Sequence, residues 1–263
     1  MEEESRVLRP LSVLDLFDET FSLYRSNFLL MAGVTGLVYI PLEIFRQTQP
    51  LHQLKIGQVT VSWSGLLILT LIMLAAGLIV EAALTKVITE RYLGHESSIT
   101  GAYGFILQRF YPFLGTLILM GLAILVGLIT LVGWIIVFFW LSFVLPVFVV
   151  EDRTYADAMG RSRELAKQNW GRIFLVGLIT WLLSTIVGLG IGALVPWLLG
   201  TSPTGIKAVL AGTLQGIIEA LVLPIGLIPF VLLYFDLRVR KEGYDLELLA
   251  QEMAARAGGL SEQ

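Results

Sequence analysis

Apolar positions in this chain fall in runs too long for a soluble fold, and the segments between several of them are amphipathic with helical spacing. Tyr111 to Val150 carries no charge at all, and neither does Ile173 to Ile206. A stretch of 18 or more apolar residues is long enough to cross bilayer hydrocarbon as a helix. The runs predict six spans, at 28–45, 63–88, 112–130, 134–150, 173–195 and 208–235. The longer uncharged run is divided because a single helix of that length would reach about 60 Å, twice the hydrocarbon thickness. Its break falls at 130–133, where Gly133 supplies the freedom a tight hairpin needs.

Before the first span, over 9–27, Leu14, Phe17, Phe21, Tyr24 and Phe28 recur three and four apart, with Asp15, Asp18, Glu19, Ser22 and Arg25 between them. That is the pattern of an amphipathic helix. Before the third span, over 98–110, Ile99, Tyr103, Ile106 and Phe110 repeat it, with Ser97 or Ser98 as N-cap. Before the fifth, over 154–169, Ala158, Ser162, Leu165 and Ala166 make a small-residue face opposite Arg161, Arg163 and Lys167. Each helix enters its span through a polar–aromatic junction: SNF at 26–28, RFY at 109–111 and QNW at 168–170. The chain reads as three units, each an interfacial helix followed by a membrane hairpin.

Composition agrees: 56% of the 263 residues are hydrophobic, 15% are charged, and mean hydropathy is +0.80. Soluble domains average about 25% charged, so a water-soluble enzyme is excluded. Fifteen of the 18 Lys and Arg lie on the side that carries both termini, which the positive-inside rule makes cytoplasmic. Trp63, Trp134 and Trp197 fall at the predicted outer ends, as an interfacial belt requires. With no Cys and only His52 and His95, thiolate chemistry is absent and no metal or other cofactor is expected. A net charge of −3 without a basic block argues against nucleic acid as a partner. The acidic start MEEES, with its first apolar span only near Phe28, does not read as a signal peptide.

The opening RPLSVLDLFDETFSLYRSNF, the middle VVEDRTYADAMGRSRELAKQNWGRIF and the exit LYFDLRVRKEGYDLELL resemble the bacterial glycerophosphoryl diester phosphodiesterase membrane-domain family. The resemblance covers nearly the whole chain, and the exit is its most specific part. It implies a single membrane domain of a bacterial plasma membrane. In that family the domain is sometimes fused to a soluble phosphodiesterase barrel and often stands alone without an established activity. The barrel's His–Arg and Glu–Asn signatures have no counterpart here, because Gln53 follows His52 and Glu96 follows His95. The resemblance therefore implies no hydrolase.

Ionisable groups inside spans mark candidate chemistry, since each costs about 2.5–3.5 kcal/mol at the bilayer centre. Glu219 is the strongest. It lies near mid-depth in the last span, one turn after Gln215, on a helix striped by Gly212, Gly216 and Ala220. Pro224 and Pro229 then interrupt the backbone ladder and leave carbonyls near 220 and 225 unpaired. Broken helices at mid-membrane are where transporters place substrate. The structural alternative is a protonated Glu bonded to Gln215 or to a freed carbonyl. Glu81 either faces the same cavity as Glu219 or lies near its interface with Lys86 snorkelling beside it. Glu43 is expected to be solvated at the outer surface. Gly188-Leu-Gly-Ile-Gly-Ala193 fits a dinucleotide fingerprint, but inside an uncharged run it reads as a loosened or packed membrane helix.

At the exit, Asp236, Arg238, Arg240, Lys241 and Glu242 follow the last span, and the remainder to 263 reads as a cytoplasmic tail. The cluster either holds anionic headgroups or docks on the 154–169 helix, with Asp236 or Glu242 paired to Arg161 or Arg163. The expected fold is all-α and polytopic: six transmembrane helices in three hairpins, each preceded by an interfacial helix, in one domain. Expected partners are membrane lipids and either a second copy or another membrane protein. Three roles remain open: a non-enzymatic scaffold acting through its cytoplasmic helices, a transporter using Glu81 and Glu219, and, least favoured, an intramembrane lipid enzyme.

Overall fold

The computed structural model describes residues 9–48, 63–130, 133–201 and 203–243. His52 and the expected helix after Gly243 lie outside the described residues. Those described are helical throughout, with no strand among them: α1 (Val13–Ser26), α2 (Phe28–Thr48), α3 (Trp63–Tyr92), α4 (Ile99–Gln108), α5 (Phe110–Leu128), α6 (Gly133–Leu141), α7 (Val144–Val150), α8 (Tyr155–Ala166), α9 (Trp170–Gly192), α10 (Leu194–Leu199) and α11 (Ile206–Glu242). Six stretches are long and apolar enough to cross a membrane: 28–48, 67–92, 110–128, 133–150, 170–199 and 206–242. The protein is a polytopic all-α membrane protein.

The three interfacial helices join their spans in one way. Asn27, Arg109 and Asn169 have φ of −123°, −108° and −118°, with ψ of 22°, 24° and 16°. At each, the backbone N–H bonds back into the short helix, to Leu23, Ile106 and Ala166. Each carbonyl accepts the N–H four residues on, from Met31, Phe113 and Ile173. The junction residue thus ends one helix and starts the next. This shared geometry is what the repeated polar–aromatic triplets anticipate.

Ser12 caps α1 reciprocally with Asp15, and Ser98 caps α4 through the Gly101 N–H at 3.0 Å. The Ser12 bonds hold the Asp15 carboxyl below the usual range. The buried face of α1 is rotated from the expected one: Leu16, Phe17, Thr20 and Leu23 pack inward, while Leu14 and Phe21 point out. α8 buries the four residues its pattern indicated.

Three spans depart from the expected outline; the fifth divides at Ala193 into α9 and α10 and runs on to Leu199. The fourth is broken at Ser142–Phe143 into α6 and α7. The Phe143 N–H donates instead to the buried Ser162 hydroxyl on α8, at 3.0 Å. The sixth helix continues to Glu242, so Asp236–Glu242 are its last turns and not the start of a tail. Its end is Gly243, whose φ is positive, a left-handed stop that glycine adopts without strain. α11 also stays helical through Pro224 and Pro229, where a break was expected. Tyr24 on α1 donates its hydroxyl to the Leu221 carbonyl at 2.9 Å, just ahead of the first proline.

α11 is the central post. α2 packs antiparallel to it, because Gly212 and Gly216 let backbones meet: a Cβ at either would lie 2.5 Å from the Cα of Ile44 or Ile40. α1 runs beside its last turns, and α9 packs along it, with Gly177 opposite Phe230. The core of this terminal end is aromatic and apolar, built on Leu16, Phe113, Phe143, Phe148, Tyr234 and Phe235.

Candidate functional site

Two groups of charged residues lie inside the bundle. The first is at mid-depth. Tyr39 stands midway along α2, and Glu81 lies about three turns before the end of α3, so both are well inside their helices. Gly216 of α11 faces the backbone of Tyr39 and Ile40, which sets Glu219 within a turn of the same level. The Tyr39 hydroxyl lies against Gly77, one turn before Glu81 on α3. The carboxylates of Glu81, Glu219 and Glu43 are all within electrostatic reach of that hydroxyl. Acidic residues from three helices therefore lie in the neighbourhood of one phenol. Tyr39 was not singled out in the sequence, where a lone tyrosine in an apolar run reads as packing.

Glu219 accepts from the Gln215 amide at 3.4 Å, as its spacing suggested, and lies near both Glu43 and Arg46. Glu43 is buried, not solvated as expected. The close approach of α11 at Gly212 covers it, and Arg46 pairs with it through a 2.7 Å hydrogen bond. Lys86 does not accompany Glu81. It pairs with Glu90 at 3.0 Å and stands over the Phe105 ring. Tyr103 of α4 bonds the Val34 carbonyl at 2.7 Å beneath Tyr39. Burial, and then Tyr39, push its hydroxyl up to about 12, so it remains a donor. Among the described residues, no three His, Cys, Asp or Glu converge as metal ligands.

The second group binds the terminal end together. Asp236, with its side chain fully buried, accepts from the Leu11 N–H at 2.7 Å and pairs with Arg172 at 2.9 Å and Arg240 at 3.0 Å. Arg172 and Arg240 both donate to the Leu11 carbonyl, so both backbone polar groups of one residue are held. Arg161 bridges Glu242 at 2.6 Å and Glu151 at 2.8 Å. The hydrogen bond to Glu242 and the neighbouring Glu151 push its guanidinium above the ordinary arginine range. Tyr234 donates to Glu151, and Arg238 lies between Glu151 and Glu242. Lys241 gives its ammonium to the carbonyls of Glu164, Leu165 and Lys167, neutralising the end of α8.

Docking of the exit on α8 is thus present through Glu242 and Arg161. The expected Asp236 partners are replaced, because α9 and not α8 lies antiparallel beside that turn, and it presents Arg172. Arg161 lies within the ion-pair network and not on an outer face, its side chain 14% exposed. Arg163 pairs with neither exit acid. It stacks on Trp140, 4.1 Å from the ring centre. With Arg238, Arg240 and Lys241 all engaged internally, these cations form a latch and not an open headgroup surface.

The Gly188–Ala193 run lies in α9 and its C-cap, where a Cβ at Gly188 or Gly190 would meet no atom within 4 Å. No family model, curated protein or solved structure matches the chain.

Proposed function

We propose that this protein is a membrane permease for protons or a small cation, with the Tyr39, Glu81 and Glu219 cluster as its binding site. The observation that carries the proposal is the convergence of acids from three helices on Tyr39 at mid-depth, with Arg46 as the neighbouring cation. Carboxylates placed there are costly to a purely structural bundle. Partly covered carboxyl groups are suited to taking up a proton or a cation. The distribution of Lys and Arg supports a cytoplasmic position for the terminal end, and the family resemblance supports a bacterial plasma membrane.

A scaffold role draws on a different observation: the spans 110–128 and 170–199 are only 17% buried. Those faces suit lipid or a neighbouring protein, and the site at Tyr39 is then a structural cluster. Reconstitution separates the roles. Liposomes holding the native chain and a pH-reporting dye, driven by a potassium diffusion potential with sodium or methylammonium outside, should show flux at least tenfold above empty liposomes. E81Q and E219Q should each lower that flux at least tenfold. A silent native chain, or Gln variants as active as native, overturns the permease reading.

A further inference from the structure

A second feature lies apart from the Tyr39 cluster, on the outer side of the latch. Trp140, Arg163, Lys167, Gln168, Trp170 and Gly171 line an open cleft of about 470 Å³ between the end of α6 and the link from α8 to α9. Arg172, two residues after Trp170, pairs with Asp236, so the cleft lies level with the terminal end of α11.

Its two cations are available. Among the described residues, neither Arg163 nor Lys167 has a carboxylate within ion-pair distance. Arg163 is held by stacking alone, which leaves its edge donors free. Lys241 covers the carbonyl end of α8 from behind, removing the nearby negative pole and leaving the cleft positive. The aromatic walls are braced, since Trp170 stacks on Phe139 at 5.2 Å and 7°. Beyond the mouth, α9 continues the face of Trp170 with large apolar side chains turned outward: Phe174, Leu178 and Trp181. A planar guanidinium, an ammonium and two indoles at the head of a continuous apolar surface match an amphiphile with an anionic phosphate head.

We infer that this cleft binds the phosphate of an anionic phospholipid, with Arg163 and Lys167 on the phosphate oxygens and the acyl chains along α9. Arg163 supplies the directional, two-pronged donor and Lys167 the point charge. The apolar flank makes a lipid the occupant in preference to free phosphate, which has no use for it.

The test uses the full chain in detergent, titrated with short-chain phosphatidylglycerol, short-chain phosphatidylcholine and inorganic phosphate, and read by tryptophan emission and native mass spectrometry. Phosphatidylglycerol should bind at least tenfold tighter than phosphatidylcholine and produce a saturable emission change in the native chain. The double variant R163Q/K167Q should lose at least tenfold in affinity, while R25Q, at an exposed arginine on α1, should not. Equal affinity for the two lipids in the native chain overturns the inference without relying on any variant. So does phosphatidylglycerol binding unaltered in R163Q/K167Q with its thermal midpoint preserved. Inorganic phosphate binding as tightly as phosphatidylglycerol overturns the lipid assignment and leaves a free-phosphate site.

Discussion

Asp236 accepts the backbone N–H of Leu11 across 225 residues of sequence, and that bond ties the segment before α1 to the last turns of α11. The carboxylate is fully enclosed and balanced by two guanidiniums, both of which return to the Leu11 carbonyl. Removing the buried charge strips both guanidiniums of their counter-ion, but their side chains keep 21% and 39% exposure, so the cost stays below the figure of about 3–5 kcal/mol for a fully buried pair. D236N should therefore lower the thermal midpoint in detergent by several degrees. The chain has no cysteine, so L11C, at a buried side chain, is a clean reporter, and its labelling should rise at least tenfold in the D236N background. Unaltered labelling and midpoint would show that the N-terminal segment is held by other contacts.

The approach of α2 to α11 yields a paired test. At Gly212 and Gly216 an added methyl would strike backbone atoms of α2 at 2.5 Å, and backbone cannot rotate aside. G212A and G216A should each destabilise by about 1–3 kcal/mol, the range for overpacking a tight contact. G188A and G190A place their methyls in open space and should be neutral or slightly stabilising, since alanine favours helix. Differential scanning fluorimetry of the four variants checks the contrast, and equal effects at all four would remove the close-packing explanation.

Phe143 supplies the third test. Its amide has left the helical ladder at the break in the fourth span and depends on the Ser162 hydroxyl in a dry setting. S162A should leave that donor unsatisfied, at about 1–3 kcal/mol. S142A removes an exposed hydroxyl that bonds its own helix and should have no measurable effect. A neutral S162A would mean that α8 is not what terminates α6.

The spans, the Ser98 cap of α4 and the threefold junction were legible because each depends on a local pattern: a run of apolar residues, a serine before a helix, a polar–aromatic triplet. Glu219 was legible for the same reason, being a lone charge in an apolar run beside Gln215. What connects distant segments was not. Arg172 looked like an ordinary positive-inside residue, and its pairing with Asp236 follows only from α9 lying antiparallel to α11. Tyr39 carries no charge to draw notice, and its position against Gly77 of α3 and Gly216 of α11 follows from how three distant helices pack. Glu43 was misplaced because its depth was counted along α2 alone, without the helix that covers it. The break at Phe143 has no glycine to mark it, and its cause lies 19 residues away, at Ser162.

The last expectation concerns pH at the Arg109 junction. Arg109 donates to Asp152 at 2.7 Å and 3.2 Å, tying the start of α5 to the turn before α8. That hydrogen bond holds the Asp152 carboxyl below the usual carboxylate range. A carboxyl lowered by folding contributes stability above its unfolded value of about 3.9 and loses it as pH falls through the lower folded value. The pair is solvent-exposed, with Asp152 63% accessible, so its worth is at most about 1 kcal/mol. Asp152 also has a positive φ, a conformation asparagine tolerates, so D152N removes charge without straining the turn. The native chain should melt a few degrees above D152N at pH 7, and the gap should close by about pH 3. High salt at pH 7 should narrow it as well, through screening. A gap that persists at pH 3 would assign the difference to packing in the turn and not to the carboxylate.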